Sequence, residues 1–135
     1  VNLNTQYQNG FGNSMSSMLE HGLVTESIEV NSITLEHFIE QEEIQMQNVC
    51  LIKIDIEGGE IKLLKQSERF LMEHRPTIYL SLHPAWFPNL DNDTNEIADI
   101  LFRIYRVYDT SGREYNQSQF LEAVNSGVHS FVLEV

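Results

Sequence analysis

The amino-acid sequence predicts an α/β fold with a mostly parallel sheet and a C-terminal antiparallel strand at or near one edge. Residues 49–54 and 77–82 are short, nearly continuous apolar runs, typical of strands that are buried on both faces. A helical spacing of apolar residues lies between them, from Gly59 to about His74. These three segments predict a βαβ unit with a parallel strand pair. Residues 128–135 have the period of two that is typical of a strand.

Length and composition predict one globular domain. The chain has 135 residues, 41% of them hydrophobic, and a net charge of −12 from 8 Lys plus Arg against 20 Asp plus Glu. This acidic balance disfavours nucleic acid and anionic membrane partners, because both would be repelled. The single cysteine, Cys50, excludes an intrachain disulfide and favours a cytoplasmic location. No apolar run approaches the roughly 20 residues that a membrane span requires.

The first part of the chain predicts two strands, a loop and a short helix. Residues 1–7 and 27–33 alternate as strands do, and residues 9–17 are small and turn-forming. Thr34 is placed to cap a short helix with apolar residues at helical spacing. Cys50 falls within the first buried run, which we expect to be a central parallel strand in which this thiol is buried.

The second part predicts helices and strands in alternation. Proline at position 76 ends the long helix, because the residue before a proline is pushed out of the α region. Asp93 and Glu96 form a capping-box pair for the next helix. The predicted elements are an aromatic loop at 83–88, a helix from 93 to about 102, a strand at 103–108, a turn at 109–112, and a helix at 118–125.

Acidic residues follow the first buried strand directly. Asp55 lies at its end, Glu57 two residues later, and Gly58 and Gly59 let the backbone turn sharply into the helix. Ligands bind at the carboxyl ends of parallel strands, and carboxylates there suit a general base or a metal ligand. The alternative is that Asp55 and Glu57 only favour the positive N-terminus of the following helix.

His83 occupies the corresponding place after the second buried strand. With Trp86 and Phe87 beside it, His83 predicts an apolar-walled pocket that combines an imidazole with the carboxylate of Asp55. An unperturbed imidazole titrates near neutral pH and accepts a proton there. The alternative is a structural histidine with aromatic residues packed over it.

A second enzyme hypothesis uses the same segment. Asp55, Glu57 and Glu60 offer the hard oxygen ligands that Mg²⁺ prefers, although no phosphate-binding loop accompanies them. Four further histidines have neither metal-ligand spacing nor a cysteine partner, and we interpret them as surface or structural residues. These are His21, His37, His74 and His129.

The order of these motifs resembles the C-terminal part of FkbM-type methyltransferases. The resemblance is carried by Ser32–Glu36, by Leu51–Glu60 with its core Lys-Ile-Asp-Ile-Glu-Gly-Gly-Glu, by Leu64, and by Arg75–His83. It implies a Rossmann-like class I methyltransferase fold and S-adenosylmethionine as cofactor. It also implies O-methylation of a small-molecule acceptor, a hydroxyl on a sugar or a natural-product-like compound.

The resemblance also implies roles for individual residues. Asp55, Glu57, Gly58 and Glu60 match the motif after the family's fourth strand, whose end lines the active site. Of these, Asp55, Glu57 and Gly58 are the candidate cofactor-binding residues, and Asp55 and His83 are the candidate catalytic residues. We expect Glu57 and Glu60 to brace the turn between strand and helix rather than to react. The family's glutamate two residues before the histidine is replaced by Ser81.

The glycine-rich cofactor loop of the family would lie upstream of Val1. We therefore expect residues 1–135 to form a single, partial methyltransferase domain that lacks the N-terminal cofactor-binding half. Such a domain would need an upstream segment or a partner chain to complete its sheet. The non-enzymatic alternative is an acidic α/β module, or a degenerate fragment, that acts through a partner protein.

Overall fold

The computed structural model describes residues 32–135 and, before them, the backbone of three short strands: β1 (Asn2–Thr5), β2 (Ser16–Ser17) and β3 (Ser27–Glu29). These strands form an antiparallel sheet in the order β2-β1-β3. The predicted strands at 1–7 and 27–33 are confirmed over β1 and β3. Ser16 and Ser17, predicted in a loop, pair with β1 instead; residues 9–15 of that loop and His21 lie outside the described residues.

A five-stranded sheet and four helices make up the rest of the structure. In chain order these elements are α1 (Leu35–Gln41), β4 (Ile52–Ile54), α2 (Glu60–His74), β5 (Ile78–Ser81), α3 (Leu90–Ile104), β6 (Arg106–Asp109), β7 (Glu114–Tyr115), α4 (Gln117–Asn125) and β8 (Ser130–Glu134). Short 3-10 turns at Met46–Asn48 and Pro84–Trp86 precede β4 and α3.

The strand order is β4-β5-β8-β6-β7, and only β4 and β5 pair in parallel. The α/β class and the β4–α2–β5 unit are confirmed, but the predicted mostly parallel sheet is wrong. The sheet is mixed because β8 lies between β5 and β6 and runs antiparallel to both. Strands β4, β5 and β6 therefore share one direction. The predicted edge position of β8 is wrong too, since β8 is interior.

Strand β4 is shorter and more exposed than the sequence predicts. Among the described residues it pairs only with β5, at one end of the five-stranded sheet, so its predicted central position is wrong. Leu51, just before the strand, is 52% exposed, and Cys50 is exposed rather than buried. The apolar run predicted a strand correctly but did not predict how many neighbours it has.

The ends of α1 and α2 follow the predicted signals. The Thr34 hydroxyl accepts a hydrogen bond from the His37 amide at 3.2 Å and caps α1 as expected. Helix α2 ends at His74, and its C-cap residue Arg75 has a φ of 46°, in the left-handed region, before Pro76. Helix α4 and the turn through Gly112 also lie where the sequence predicts them.

Helix α3 begins earlier and ends later than expected. Asn89 caps it by accepting from the Asn92 amide at 3.3 Å, and the Asn89 amide donates to Asp93 at 3.0 Å. The predicted Asp93–Glu96 capping box is therefore wrong, and Glu96 instead pairs with Lys65 of α2 at 2.9 Å. Because α3 continues to Ile104, the next strand starts at Arg106 rather than at 103. Strand β7 has two residues, too few to show a period in the sequence.

The core lies between the five-stranded sheet and the helices. Its fully buried side chains come from α2, α3, α4, β5, β6 and β8: Leu64, Leu71, Ile97, Leu101, Phe120, Ile78, Leu80, Val107, Phe131 and Leu133. This packing fixes the start of α2 and the end of β5 relative to each other. Among the described residues, no helix is both long enough and apolar enough to cross a membrane.

Candidate functional site

Asp55 and His83 meet at the carboxyl end of the parallel pair β4–β5. Asp55 directly follows β4, and His83 comes two residues after β5. Parallel strands that pair in register end at the same edge of a sheet, so residues just beyond them are neighbours. Asp55 Oδ1 lies 3.5 Å from His83 Nε2, as the sequence predicted from the two strand ends.

The turn between β4 and α2 brings two more carboxylates to this edge. Glu57 and Gly58 both have positive φ, 50° and 98°. This conformation costs a residue with a side chain about 1–2 kcal/mol, whereas glycine adopts it freely. It points two amides back at Glu60: Gly58 N–H donates to Oε2 at 3.0 Å and to Oε1 at 3.3 Å, and Ile56 N–H donates to Oε1 at 3.4 Å.

Glu60 contacts His83, which the sequence did not predict. It is the first residue of α2, its side chain is 0% exposed, and Oε1 lies 2.7 Å from His83 Nδ1. The sequence had suggested Glu60 as a brace of the strand–helix turn, in agreement with its hydrogen bonds from Gly58 and Ile56, or as a magnesium ligand with Asp55 and Glu57. We name Asp55, Glu57, Glu60 and His83 the carboxylate–imidazole cluster.

Asp55 also forms an ion pair with Lys53. Lys53 Nζ lies 2.7 Å from Asp55 Oδ2, and this hydrogen bond to the carboxylate raises the pKa of the Lys53 ammonium. The pair engages one carboxylate oxygen of Asp55 and leaves Oδ1 facing the imidazole of His83. Both side chains are at least one-third exposed, so the pair contributes little to stability.

The aromatic residues after His83 have separate roles. Trp86 is half-buried and donates from Nε1 to Glu57 Oε2 at 3.3 Å, while Glu57 Oε1 lies 3.5 Å from His83 Nε2. Phe87, predicted as a second wall of the pocket, is buried in the core. Trp86 therefore lies at the site, whereas Phe87 belongs to the core.

The cluster supports two kinds of chemistry. Asp55, Glu57 and His83 each offer one ligand atom, all within 4.8 Å of one another, and these are the residues that could hold a metal ion. Glu60 does not belong to that set, because its oxygens already accept hydrogen bonds from the turn and face Nδ1. The same arrangement also suits proton transfer at the open side of the imidazole.

The other described histidines do not belong to the site. His37, His74 and His129 are exposed, in agreement with their interpretation as surface or structural residues. The ring of His74 lies 4.5 Å from that of Phe70, a packing contact at the end of α2.

Comparison with known proteins identifies the family. Residues 3–115 match the family model described as the methyltransferase FkbM domain, and this range includes the whole carboxylate–imidazole cluster. No curated protein and no solved structure shows a significant match to the chain. Membership of this family suggests a methyltransferase. Because the match covers most of the sequence, the chain belongs to the FkbM methyltransferase domain family.

Proposed function

We propose that this protein transfers a methyl group from S-adenosylmethionine to a hydroxyl of a sugar or a natural-product-like small molecule. The observation that carries the proposal is the position of His83 Nε2, which faces Asp55 and Glu57 at the end of a parallel strand pair. Family membership supports methyl transfer. The shared direction of β4, β5 and β6, with β8 inserted antiparallel, supports a Rossmann-like class I fold.

The chemistry of the site suits the proposed cofactor. S-adenosylmethionine supplies, when bound, an electrophilic methyl group on a positively charged sulfur, and it also carries an ammonium group. The side chains of Asp55 and Glu57 are 35% and 20% exposed, so their negative charge is accessible to such a cation. We assign Asp55 and Glu57 to its binding. Gly58 would border the cofactor through its backbone. Its N–H is not free for the cofactor, because it already donates to Glu60.

His83 is the better general base of the two candidates. A hydroxyl gives up its proton most effectively to a group that titrates near the working pH, and an imidazole meets this condition better than an ordinary carboxylate. Asp55 Oδ2 is also engaged with the Lys53 ammonium at 2.7 Å, so only Oδ1 faces the imidazole. In the proposal His83 Nε2 takes the hydroxyl proton, and Asp55 Oδ1 orients the hydroxyl.

The surrounding carboxylates stabilise the product of that proton transfer. Once Nε2 is protonated, the imidazolium carries a positive charge with Asp55 Oδ1 and Glu57 Oε1 each at 3.5 Å and Glu60 Oε1 at 2.7 Å. Fixed negative groups aimed at a charge that develops during reaction lower its barrier. The cluster is thus suited to activating a neutral hydroxyl.

The direct test uses the full-length gene product. Methyl-labelled S-adenosylmethionine is incubated with the protein and with a panel of sugars and polyhydroxylated natural products, and binding of the cofactor is measured by calorimetry. We expect saturable binding and label on at least one hydroxyl compound. A folded protein that neither binds S-adenosylmethionine nor transfers label would contradict the proposal and favour the non-catalytic acidic module.

We also propose three further properties of the protein. They are a cytoplasmic location, the absence of nucleic acid and membrane partners, and the need for an upstream segment or partner chain to complete the sheet. Size-exclusion chromatography of residues 1–135 beside the full-length gene product addresses the last of them. Self-association of the shorter chain alone would support a sheet that needs completion.

A further inference from the structure

We infer that Glu60 is a positioning residue, which holds His83 in the tautomer with its proton on Nδ1 and thereby leaves the lone pair on Nε2. The expected effect of Glu60 on turnover rests on the proposed function, whereas the tautomer rests on geometry alone. It starts from a buried carboxylate, 0% exposed, whose Oε1 lies 2.7 Å from Nδ1.

The hydrogen bonds around Glu60 define its role toward the imidazole. Gly58 N–H donates to both carboxylate oxygens, and Ile56 N–H donates to Oε1, so these oxygens act as acceptors in the turn. The hydrogen bond at 2.7 Å then requires Nδ1 to be the donor.

The other side of the imidazole supports the same proton position. Nε2 faces Asp55 Oδ1 and Glu57 Oε1, both at 3.5 Å, at the limit of hydrogen bonding. A neutral imidazole has one N–H, and the shorter contact to the buried Glu60 holds it better than the two longer contacts to exposed carboxylates. Nε2 is therefore left as an acceptor that faces the open side of the site.

The burial of Glu60 makes this arrangement rigid. Its two oxygens are fixed by the turn at Glu57 and Gly58, and no water competes for a side chain that is fully enclosed. When His83 takes a proton, its positive charge develops 2.7 Å from the fixed Oε1 of Glu60. The corresponding carboxylate in a Ser–His–Asp triad fixes the histidine tautomer in the same way, and its amide substitution there costs about 10⁴-fold in turnover.

The tautomer is measured by long-range ¹H–¹⁵N correlation spectra of the full-length gene product at pH 8.5, where an ordinary imidazole is neutral. We expect His83 to show a proton on Nδ1 alone. The isosteric Glu60→Gln variant should shift population toward the Nε2–H form. Glu73→Gln, the same chemical change on the exposed face of α2, should leave the spectrum unchanged. A proton on Nε2 in the unsubstituted protein, on one or on both nitrogens, would overturn the inference.

Turnover gives the second measurement. Glu60→Gln should lower kcat by at least about 10²-fold while the affinity for S-adenosylmethionine changes little, because Glu60 does not face the open site. An unchanged tautomer or an unchanged kcat in this variant would overturn the positioning role. If the variant does not fold, the spectrum of the unsubstituted protein decides alone. The expected tautomer in a protein that transfers no methyl group would contradict the proposed function and leave the proton assignment intact.

Discussion

Glu60 Oε1 and His83 Nδ1 lie 2.7 Å apart although 23 positions separate the two residues in the sequence. The contact joins the first residue of α2 to the segment that follows β5. It therefore depends on the parallel pairing of β4 with β5 and on the sharp turn at Glu57 and Gly58. The contact fixes Nδ1 of His83 on the buried side of the carboxylate–imidazole cluster. Nε2, on the other side of the ring, is left for a ligand.

Replacing Asp55 by asparagine should lower turnover without unfolding the protein. The change removes a negative charge that orients the acceptor hydroxyl and stabilises the imidazolium at 3.5 Å. We expect methyl transfer to fall by about 10- to 100-fold, and the free energy of unfolding to change by less than about 1 kcal/mol because Asp55 is exposed. Steady-state kinetics and urea unfolding measure the two effects.

Asp99→Asn is the matched control for that substitution. Asp99 is exposed on α3 and accepts a hydrogen bond from Gln117 that an asparagine oxygen can still accept. Its turnover should equal that of the unsubstituted protein. Equal turnover in Asp55→Asn would remove Asp55 from the proposed chemistry.

The sequence predicted the central βαβ unit because its signals are local. The apolar run before Asp55, the helical spacing after Gly59 and Pro76 after the helix each specify one element. The order of strands is not local. Strand β8 lies between β5 and β6, a long-range pairing that no residue in its own segment specifies. For the same reason the sequence did not predict that β4 lies at one end of the five-stranded sheet in the described part of the chain.

In the candidate site, too, one contact could be predicted from the sequence and another could not. Asp55 and His83 could be predicted to meet, since residues that follow adjacent parallel strands share one edge of the sheet. Glu60 could not be assigned to His83, because its orientation requires a positive φ at Glu57, and a glutamate gives no sign of that conformation. The pair Gly58 and Gly59 indicated a sharp turn but not the direction in which the next carboxylate would point.

Trp86 should report on cofactor binding. It is the only tryptophan in the sequence, and its indole N–H donates to Glu57 Oε2, a proposed cofactor contact. We expect S-adenosylhomocysteine to change the tryptophan emission in a saturable way, with N-acetyltryptophanamide as the control for absorption by the ligand. Saturable binding in calorimetry with no change in emission would place the cofactor away from Glu57.

Divalent metal ions should not be required for turnover. In the proposal Nε2 of His83 takes a proton, so a metal ion on the same atom would block it. A chelator should leave the rate unchanged. Added Zn²⁺ should inhibit, because Asp55, Glu57 and His83 offer ligand atoms within 4.8 Å of one another. Glu57→Gln should weaken that inhibition.

A different outcome of the chelation experiment would support the metal hypothesis. If the chelator abolished turnover and Mg²⁺ restored it, the carboxylates would be metal ligands and His83 would not be the base.

Tyr105 should make the stability depend on pH in the alkaline range. Burial raises its pKa to about 12, and among the described residues its hydroxyl has no hydrogen-bond partner. The unfolded chain releases this proton near pH 10, whereas the folded chain keeps it to about pH 12. In this range the folded state binds more protons, so the Tyr105 contribution to stability, complete below pH 10, is lost as pH rises.

The variant Tyr105→Phe isolates this contribution. At pH 7 its free energy of unfolding should be at least that of the unsubstituted protein, because no buried hydroxyl is left without a partner. Between pH 9 and 11 the variant should lose less stability than the unsubstituted protein, as measured by urea unfolding. Equal losses in the two proteins would show that Tyr105 does not titrate as described.

The most direct test of the proposed mechanism is single-turnover methyl transfer by His83→Asn, with S-adenosylmethionine bound at saturating concentration. The asparagine amide can still donate to Glu60 but cannot act as a base. The proposal predicts that the rate of methyl transfer falls by about 10²- to 10⁴-fold while cofactor affinity stays within about threefold. A rate within about threefold of the unsubstituted protein would contradict the assignment of His83 as the general base.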